Sequence, residues 1–482
     1  MVSPFPDARS VVHLICKDRK ELLSSCNRKS PLLYFYCVSQ TAFRFGVRRS
    51  KTRTYMRTSY FLIALIAAIA AAEKYAIVMG GADGWLNYSI TSEPCRVYAD
   101  LTRAGVKPEN IIYMTYTTDV SFEWNPFKGM IFTDPAPNTD GDWAKYGCFD
   151  HVDYTDKDIN KEVFLGILSG DAEAVAKATG KENPKVLAAG PEDTVFTYFI
   201  DHGSDGLICV GDDDVTDEEL ISALKKAHEK QIYGKWVWFM EACHSGSMFM
   251  NLPSDWNIYV MTSADAHHDA KMSNCPPNDK VAGESFSACL SGLWDNSYLS
   301  YLEQHPKTTI GEIVDAVMAD VKKTSAQGVS EFGDMSFRDL PLSDFFGLLP
   351  TPSFRITRAA PESIVSLDQV PMHLAKWRAI RADKNEMASA VAEYERLAFE
   401  SAKREVEVMR LGVSLMNEKA ADAALKTASE SYSASCVRDL SLALHEKCGH
   451  SFPFSETTTN LLRNICLPGL SVPNVNWSDI CM

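Results

Sequence analysis

Positive charge is in short supply. Over 482 residues, 48 lysines and arginines stand against 63 aspartates and glutamates, a net charge of −15. A general nucleic-acid binder carries a basic footprint, so that class is set aside. Long apolar runs are lacking too. The strongest, YFLIALIAAIAAA at 60–72, has 13 residues, short of the roughly 20 a membrane-spanning helix needs. There is no internal repeat. The acidic stretch GDDDVTDEE at 211–219 lacks the spaced ligands and central glycine of a calcium loop, and reads as a solvated turn and helix start. AHHDA at 266–270 has neither a helical His-x-x-x-His nor a cysteine pair beside it. It reads as a surface loop, and no metal and no cofactor are expected.

What is present is ordinary globular material, 46% hydrophobic and 23% charged, enough for a sizeable core. The 60–72 run follows Arg57 and ends in small residues at Ala70–Ala72, the shape of a secretory signal peptide. Met56 is then the working start and 56–72 the signal. The preceding 1–55 hold 11 lysines and arginines against 3 acids, and are either untranslated or a further targeting segment. Once the signal is removed, the chain is strongly acidic, carries no stable membrane span, and suits an acidic lumen.

From 73 to 347, apolar runs alternate with helical patterns. The strand-like runs are YAIVMG (75–80), IIYMTY (111–116), TVFTYFI (194–200), KWVWFM (235–240) and NIYVMTSA (257–264). Helical patterns cover 94–104, 156–169, 216–231 and 308–324. This alternation predicts an α/β domain with a mostly parallel sheet flanked by helices. Near-continuous apolar strands fit a sheet covered on both faces. Residues 348–372 carry Pro350, Pro352, Pro361 and Pro371 and read as a linker or activation segment. From 373 to 482 the composition is helical, and the last 50 residues hold Cys436, Cys448, Cys466 and Cys481. In a secreted chain these imply two disulfides, with three possible pairings. Cys275 and Cys289 are candidates for a loop bridge.

Two of the buried strands end on reactive residues. TVFTYFIDHGSDG finishes on Asp201-His202-Gly203, and KWVWFMEACHSG on Cys243. In a parallel sheet both ends lie on one edge, where ligands bind. A thiol and an imidazole that manages its proton meet the requirement for nucleophilic catalysis. Gly203 lets backbone N–H groups approach a tetrahedral intermediate. Taken singly, each residue is more readily a buried structural thiol or a satisfied loop histidine. Their joint placement favours the pair.

YFIDHGSDG together with FMEACHSGSM resembles the legumain (asparaginyl endopeptidase, vacuolar processing enzyme) family of cysteine peptidases, whose fold is caspase-like. GWLNYS (84–89), NPFKG (125–129), GDAEAV (170–175) and LPSDWNIYVMTSA are similar to family segments. The spacing of 11, 17 and 14 residues between tail cysteines resembles the family's C-terminal prodomain. The resemblance covers about 73–482. It implies that Cys243 forms an acyl-enzyme, that His202 shuttles the proton, and that Asn87 orients the imidazole. It further implies an oxyanion hole from the N–H groups of Gly203 and Cys243, and pairings Cys436–Cys466 and Cys448–Cys481. The helical prodomain would inhibit the enzyme until removed at low pH.

The pocket for the residue before the cut (P1) departs from the family. There an arginine, a glutamate, a serine and an aspartate grip an asparagine. Here Glu241 is kept, Ser89 takes the arginine position, Asp269 the serine position and Gly292 the aspartate position. Cleavage after asparagine, with aspartate at lower pH, follows from the family, whereas carboxylates without an arginine favour a basic P1 side chain. The linker from 348 to 372 contains no asparagine, so self-removal of the tail after asparagine within it is not possible.

Partners are therefore protein and peptide substrates and the chain's own prodomain. The expected location is the secretory pathway, ending in a lysosome or vacuole or outside the cell. A transpeptidase would share the same acyl-enzyme, and a non-catalytic binding protein would need none of Asn87, His202 and Cys243. Asn87-Tyr88-Ser89 and Asn476-Trp477-Ser478 match the glycosylation sequon. A glycan on Asn87 would block the site, so none is expected there.

Overall fold

The computed structural model describes residues 72–350, 360–429, 431–450, 454–468 and 474–482. The extension at 1–55 and the signal segment up to residue 71 lie outside them.

In chain order the main elements are β1 (Lys74–Gly80), α1 (Tyr88–Arg103), β2 (Ile111–Met114), α2 (Lys161–Leu168), α3 (Ala172–Thr179), β3 (Thr194–Ile200), α4 (Asp217–Lys230), β4 (Lys235–Glu241) and β5 (Ile258–Thr262). They are followed by β6 (Lys271–Ser273), β7 (Ser291–Gly292), α5 (Leu293–Gln304), α6 (Ile310–Val321), β8 (Ser330–Gly333) and β9 (Val365–Ser366). Helices α7 (Val370–Arg381), α8 (Met387–Leu415), α9 (Glu418–Lys426), α10 (Ala434–Cys448) and α11 (Glu456–Ile465) make up the C-terminal region.

Six strands form the main sheet in the order β8-β5-β4-β3-β1-β2. All neighbours are parallel except β8, which runs antiparallel to β5. Alternate side chains of each strand feed two cores. Val78, Tyr198, Val237 and Phe239 pack on the α1/α5/α6 face, and Met79, Phe199, Trp236 and Trp238 on the α2/α4 face. Burial on both faces is why these strands are apolar throughout. The mostly parallel α/β fold flanked by helices is thus present, with a helical, disulfide-bonded C-terminal region.

Differences from the expected elements have local causes. The helix expected at 94 begins at Tyr88, six residues earlier, with Pro94 in its interior. Gly80 lies so close that an added Cβ would sit 2.1 Å from the Ile90 carbonyl and 2.8 Å from Pro94. The 211–219 stretch supplies a short strand, Asp213–Thr216, and then the start of α4. There Thr216 and Glu219 satisfy each other's backbone N–H groups as a capping box. Within the supposed linker, Val365–Ser366 pairs with β6, and α7 starts at Val370 with Pro371 in its first turn, where proline is tolerated.

Four disulfides form among the described residues: Cys95–Cys148, Cys275–Cys289, Cys436–Cys466 and Cys448–Cys481. No described helix is long and apolar enough to cross a membrane.

Candidate active site

Strands β3 and β4 are adjacent and parallel, with Ile200 opposite Glu241. Continuing that register, Asp201 N–H donates to the Glu241 carbonyl at 3.2 Å, which brings His202 and Cys243 level at the carboxyl edge. The two backbones then nearly touch: a Cβ on Gly203 would lie 2.6 Å from the Cys243 carbonyl oxygen. Only glycine fits there.

The apolar run of β4 stops because the chain turns sharply. His244 adopts a left-handed φ of 54° and caps a 3-10 helix, Ser245–Phe249. The small residues that follow are close-packing devices. Ser245 Oγ donates to the Ala264 carbonyl at 3.2 Å, and Ser247 Oγ accepts from Gly206 N–H at 2.8 Å. A Cβ on Gly246 would lie 2.9 Å from the backbone of Asp265 and Ala266.

His202 Nε2 lies 3.0 Å from Asn87 Oδ1. The Asn87 amide nitrogen donates to the Asp83 carbonyl at 2.8 Å, which fixes Oδ1 as the acceptor toward the ring. Nε2 therefore carries the proton, and Nδ1 is a bare acceptor with no donor among the described residues. Burial pushes the imidazole down to about 4, so the ring is neutral. His202 and Asn87 line a cavity of about 410 Å³ shared with Leu367, Pro371, Arg404 and His450.

Cys243 is fully buried. It belongs to an apolar cluster with Ala270, Met272, Val365, Leu367, Val370 and Leu374. Burial, then the charges of Asp269 and Asp368, push its thiol well above the ordinary range, against a backbone hydrogen bond from Ala270. In this closed arrangement both the thiol and the imidazole are neutral.

The cover is the C-terminal region. Val365 pairs with Met272 and Ser366 with Lys271, antiparallel, and Leu367 N–H donates to the Ala270 carbonyl at 3.0 Å. An extended segment thereby lies along the edge strand beside Cys243, as a peptide adding a strand to a sheet edge would. Farther along, Arg463 Nε pairs with Asp205 at 2.7 Å. Tyr432 Oη donates to Asp205 at 3.3 Å, and Arg438 meets Asp217 at 3.3 Å.

Of the residues assigned to the P1 pocket, Ser89, Glu241 and Gly292 converge and Asp269 does not join them. Ser89 Oγ reaches Met272 Sδ at 3.1 Å, and a Cβ on Gly292 would lie 2.8 Å from both Glu241 oxygens. The Asp269 carboxylate is 3.3 Å from His244 Nε2 and accepts from Ser366 Oγ at 3.2 Å. Glu93, Asp295 and Met272 join the group formed by Ser89, Glu241 and Gly292 without having been anticipated. Glu93 falls four residues after Ser89 on α1 and Asp295 three after Gly292 on α5, the spacings that share a helix face. The 266–270 loop lies beside the site, since the His268 carbonyl accepts from His244 N–H at 2.9 Å.

Residues 74–349 match the Peptidase C13 family. The chain is 32% identical over 314 residues to hemoglobinase of Schistosoma japonicum, covering 64% of this chain and 69% of that protein. It is 31% identical over 314 residues to mouse legumain, covering 64% and 68%. Over 425 residues it is 27% identical to the vacuolar-processing enzyme delta-isozyme of Arabidopsis thaliana, covering 84% and 88%.

Proposed function

The chain belongs to the Peptidase C13 family and is a cysteine endopeptidase, and on that premise we propose that it is a zymogen of the legumain type, opened by loss of its C-terminal region in an acidic lysosomal or vacuolar compartment. The observation that carries the mechanism is the hydrogen bond from His202 to Asn87, which leaves Nδ1 unpaired at the strand end level with Cys243.

With the cover removed, His202 Nδ1 takes the thiol proton as Cys243 Sγ attacks the scissile carbonyl carbon. The carbonyl oxygen becomes an oxyanion, held by the N–H groups of Gly203 and Cys243. As the C–N bond breaks, the imidazolium returns its proton to the departing amine, leaving a thioester. His202 then activates a water that releases the acid and regenerates the thiol. Asn87 holds the ring in the tautomer these steps require.

Latency has a physical basis in the cover. The strand Val365–Ser366 occupies the edge where a substrate backbone would pair. Burial raises the thiol and lowers the imidazole, so proton transfer from Cys243 to His202 is harder while the cover is in place.

The test is acid incubation of the full-length protein, following loss of the C-terminal region and cleavage of a peptide library, beside Cys243→Ser. The variant should remain folded and inactive. Full activity in Cys243→Ser, or in an unprocessed chain at neutral pH, would remove the respective half of this reading.

A further inference from the structure

Glu93, Glu241 and Asp295 come from three elements, α1, β4 and α5, and meet behind the nucleophile with almost no exposure. Glu241 is the last residue of β4, and Cys243 follows it by two residues just past the strand end. Gly292, paired with Met272 across β7 and β6, lets the carboxyls close in on the backbone: a Cβ there would lie 2.4 Å from an Asp295 oxygen and 2.8 Å from both Glu241 oxygens. Four of the six carboxyl oxygens have no N–H or hydroxyl donor among the described residues, namely both of Glu241, Oε2 of Glu93 and Oδ2 of Asp295, and Glu241 and Asp295 have a carboxyl–carboxylate hydrogen bond with each other. The other two accept from Gly292 N–H at 3.3 Å and Tyr198 Oη at 2.9 Å.

The nearby cation does not neutralise them. Arg96 is committed to Asp100, Asp134 and Glu303 at 3.9, 3.3 and 3.5 Å. Burial, compounded by mutual repulsion, raises Glu93 and Glu241 well above the carboxylate range, and burial raises Asp295. Unpaired buried carboxyls are costly unless a partner arrives.

Resting on the endopeptidase reading above, we propose that the space bounded by Ser89, Met272 and Gly292 receives the P1 side chain, and that its floor of Glu241, Asp295 and Glu93 selects lysine or arginine.

Ammonium and guanidinium groups are donors only and ionised carboxylates acceptors only, so the two inventories match. An asparagine amide also presents an acceptor. Its donors would be the Ser89 hydroxyl, already on Met272, Gly292 N–H, already on Glu93, or the O–H of a protonated carboxyl, whereas a cation draws the cluster into its ionised form and gains charge-assisted hydrogen bonds to it. The Met272 thioether gives a methylene stem an apolar wall. Between 348 and 372, where asparagine is absent, arginine occurs at 355 and 358.

The test uses the full-length protein, held at acid pH until Cys243 reacts with iodoacetamide. Short peptides ending in lysine, arginine, norleucine or asparagine amide are compared for protection of that thiol. Norleucine keeps the lysine stem without its charge. Lysine and arginine should protect at concentrations at least about tenfold lower than norleucine or asparagine, and Glu241→Gln should erase the margin. Equal protection by lysine and norleucine, or stronger protection by asparagine, would overturn the proposal; this wild-type comparison decides even if the variant misfolds. Cleavage of matching sequences is followed alongside. Lysine-selective protection without cleavage keeps the subsite and removes the endopeptidase reading, whereas cleavage chiefly after asparagine does the reverse.

Discussion

Arg463 of α11 and Asp205, three residues beyond His202, form an ion pair at 2.7 Å with neither side chain exposed. Arg463 also donates to the Ala266 carbonyl and lies over the Tyr432 ring. One side chain thus ties the C-terminal region to the loops carrying Asp205 and Ala266. Removing one member of a buried pair strands the other charge, at a cost of about 3–5 kcal/mol.

Arg463→Ala is therefore expected to loosen the cover at neutral pH. The rate of Cys243 alkylation by iodoacetamide should rise on the order of 10²-fold, the factor that a few kcal/mol of lost docking implies. An unchanged alkylation rate in a folded variant would mean the cover does not depend on this pair.

Acid should weaken the C-terminal region through His450. Its Nε2 is 2.8 Å from Glu407, yet burial, with help from the charges of Arg404 and Lys403, holds the imidazole below its ordinary value, while hydrogen bonds from Met482 and His450 lower Glu407. A depressed histidine leaves the folded form with fewer bound protons than the unfolded form. Its stabilising contribution is complete above roughly pH 6.5 and is lost as pH falls below that. The depressed Glu407 contributes above the ordinary carboxylate range and is lost lower still. Asp368, raised to about 6 by burial and then the Asp269 charge, works the other way, because its protonation favours the closed form. His450→Gln keeps a donor toward Glu407 and removes the titration. The midpoint of acid-induced Cys243 alkylation should move to lower pH; an unmoved midpoint would exclude His450 as the trigger.

The main strands could be read from sequence because burial on both sheet faces leaves them apolar end to end. His202 and Cys243 could be read because parallel strands deliver their last residues to one edge. Strand β8 could not, since Ser330–Gly333 is a short, half-buried edge with Glu331 in it. The pocket floor was equally opaque. Glu93, Glu241 and Asp295 lie far apart in the chain, and only the packing of α1 and α5 on β4 brings them together. The Cys95–Cys148 bridge, 53 residues apart, carries no spacing signature. Sequence offset also cannot show that His244 and Ser366 are the partners of the Asp269 carboxylate.

Gly203→Ala should abolish activity and weaken the fold. The new Cβ would lie 2.6 Å from the Cys243 carbonyl and 3.2 Å from the Ala242 side chain. Neither backbone can yield without parting β3 from β4, so the overpacking cost is about 1–3 kcal/mol. Thermal unfolding and kcat/KM after acid activation measure the two effects, and a variant retaining both would contradict the close approach.

Asn87→Ala tests the orientation of the base. With Oδ1 gone, nothing holds the proton on Nε2, and the tautomer with Nδ1 protonated cannot accept from Cys243. General-base assistance is worth about 10²–10⁴-fold, so kcat should fall on the order of 10² with KM little changed. A loss confined to KM would instead assign Asn87 to substrate binding. The same residue supplies a chemical check. Its amide is bonded to the Asp83 carbonyl at 2.8 Å, and Ser89 of the sequon is buried, so a glycan on this nitrogen would disturb the hydrogen bond that orients Oδ1. Mass spectrometry of the peptide bearing Asn87 from secreted protein should find it unmodified. A glycan there would be incompatible with His202 using Asn87 as its anchor.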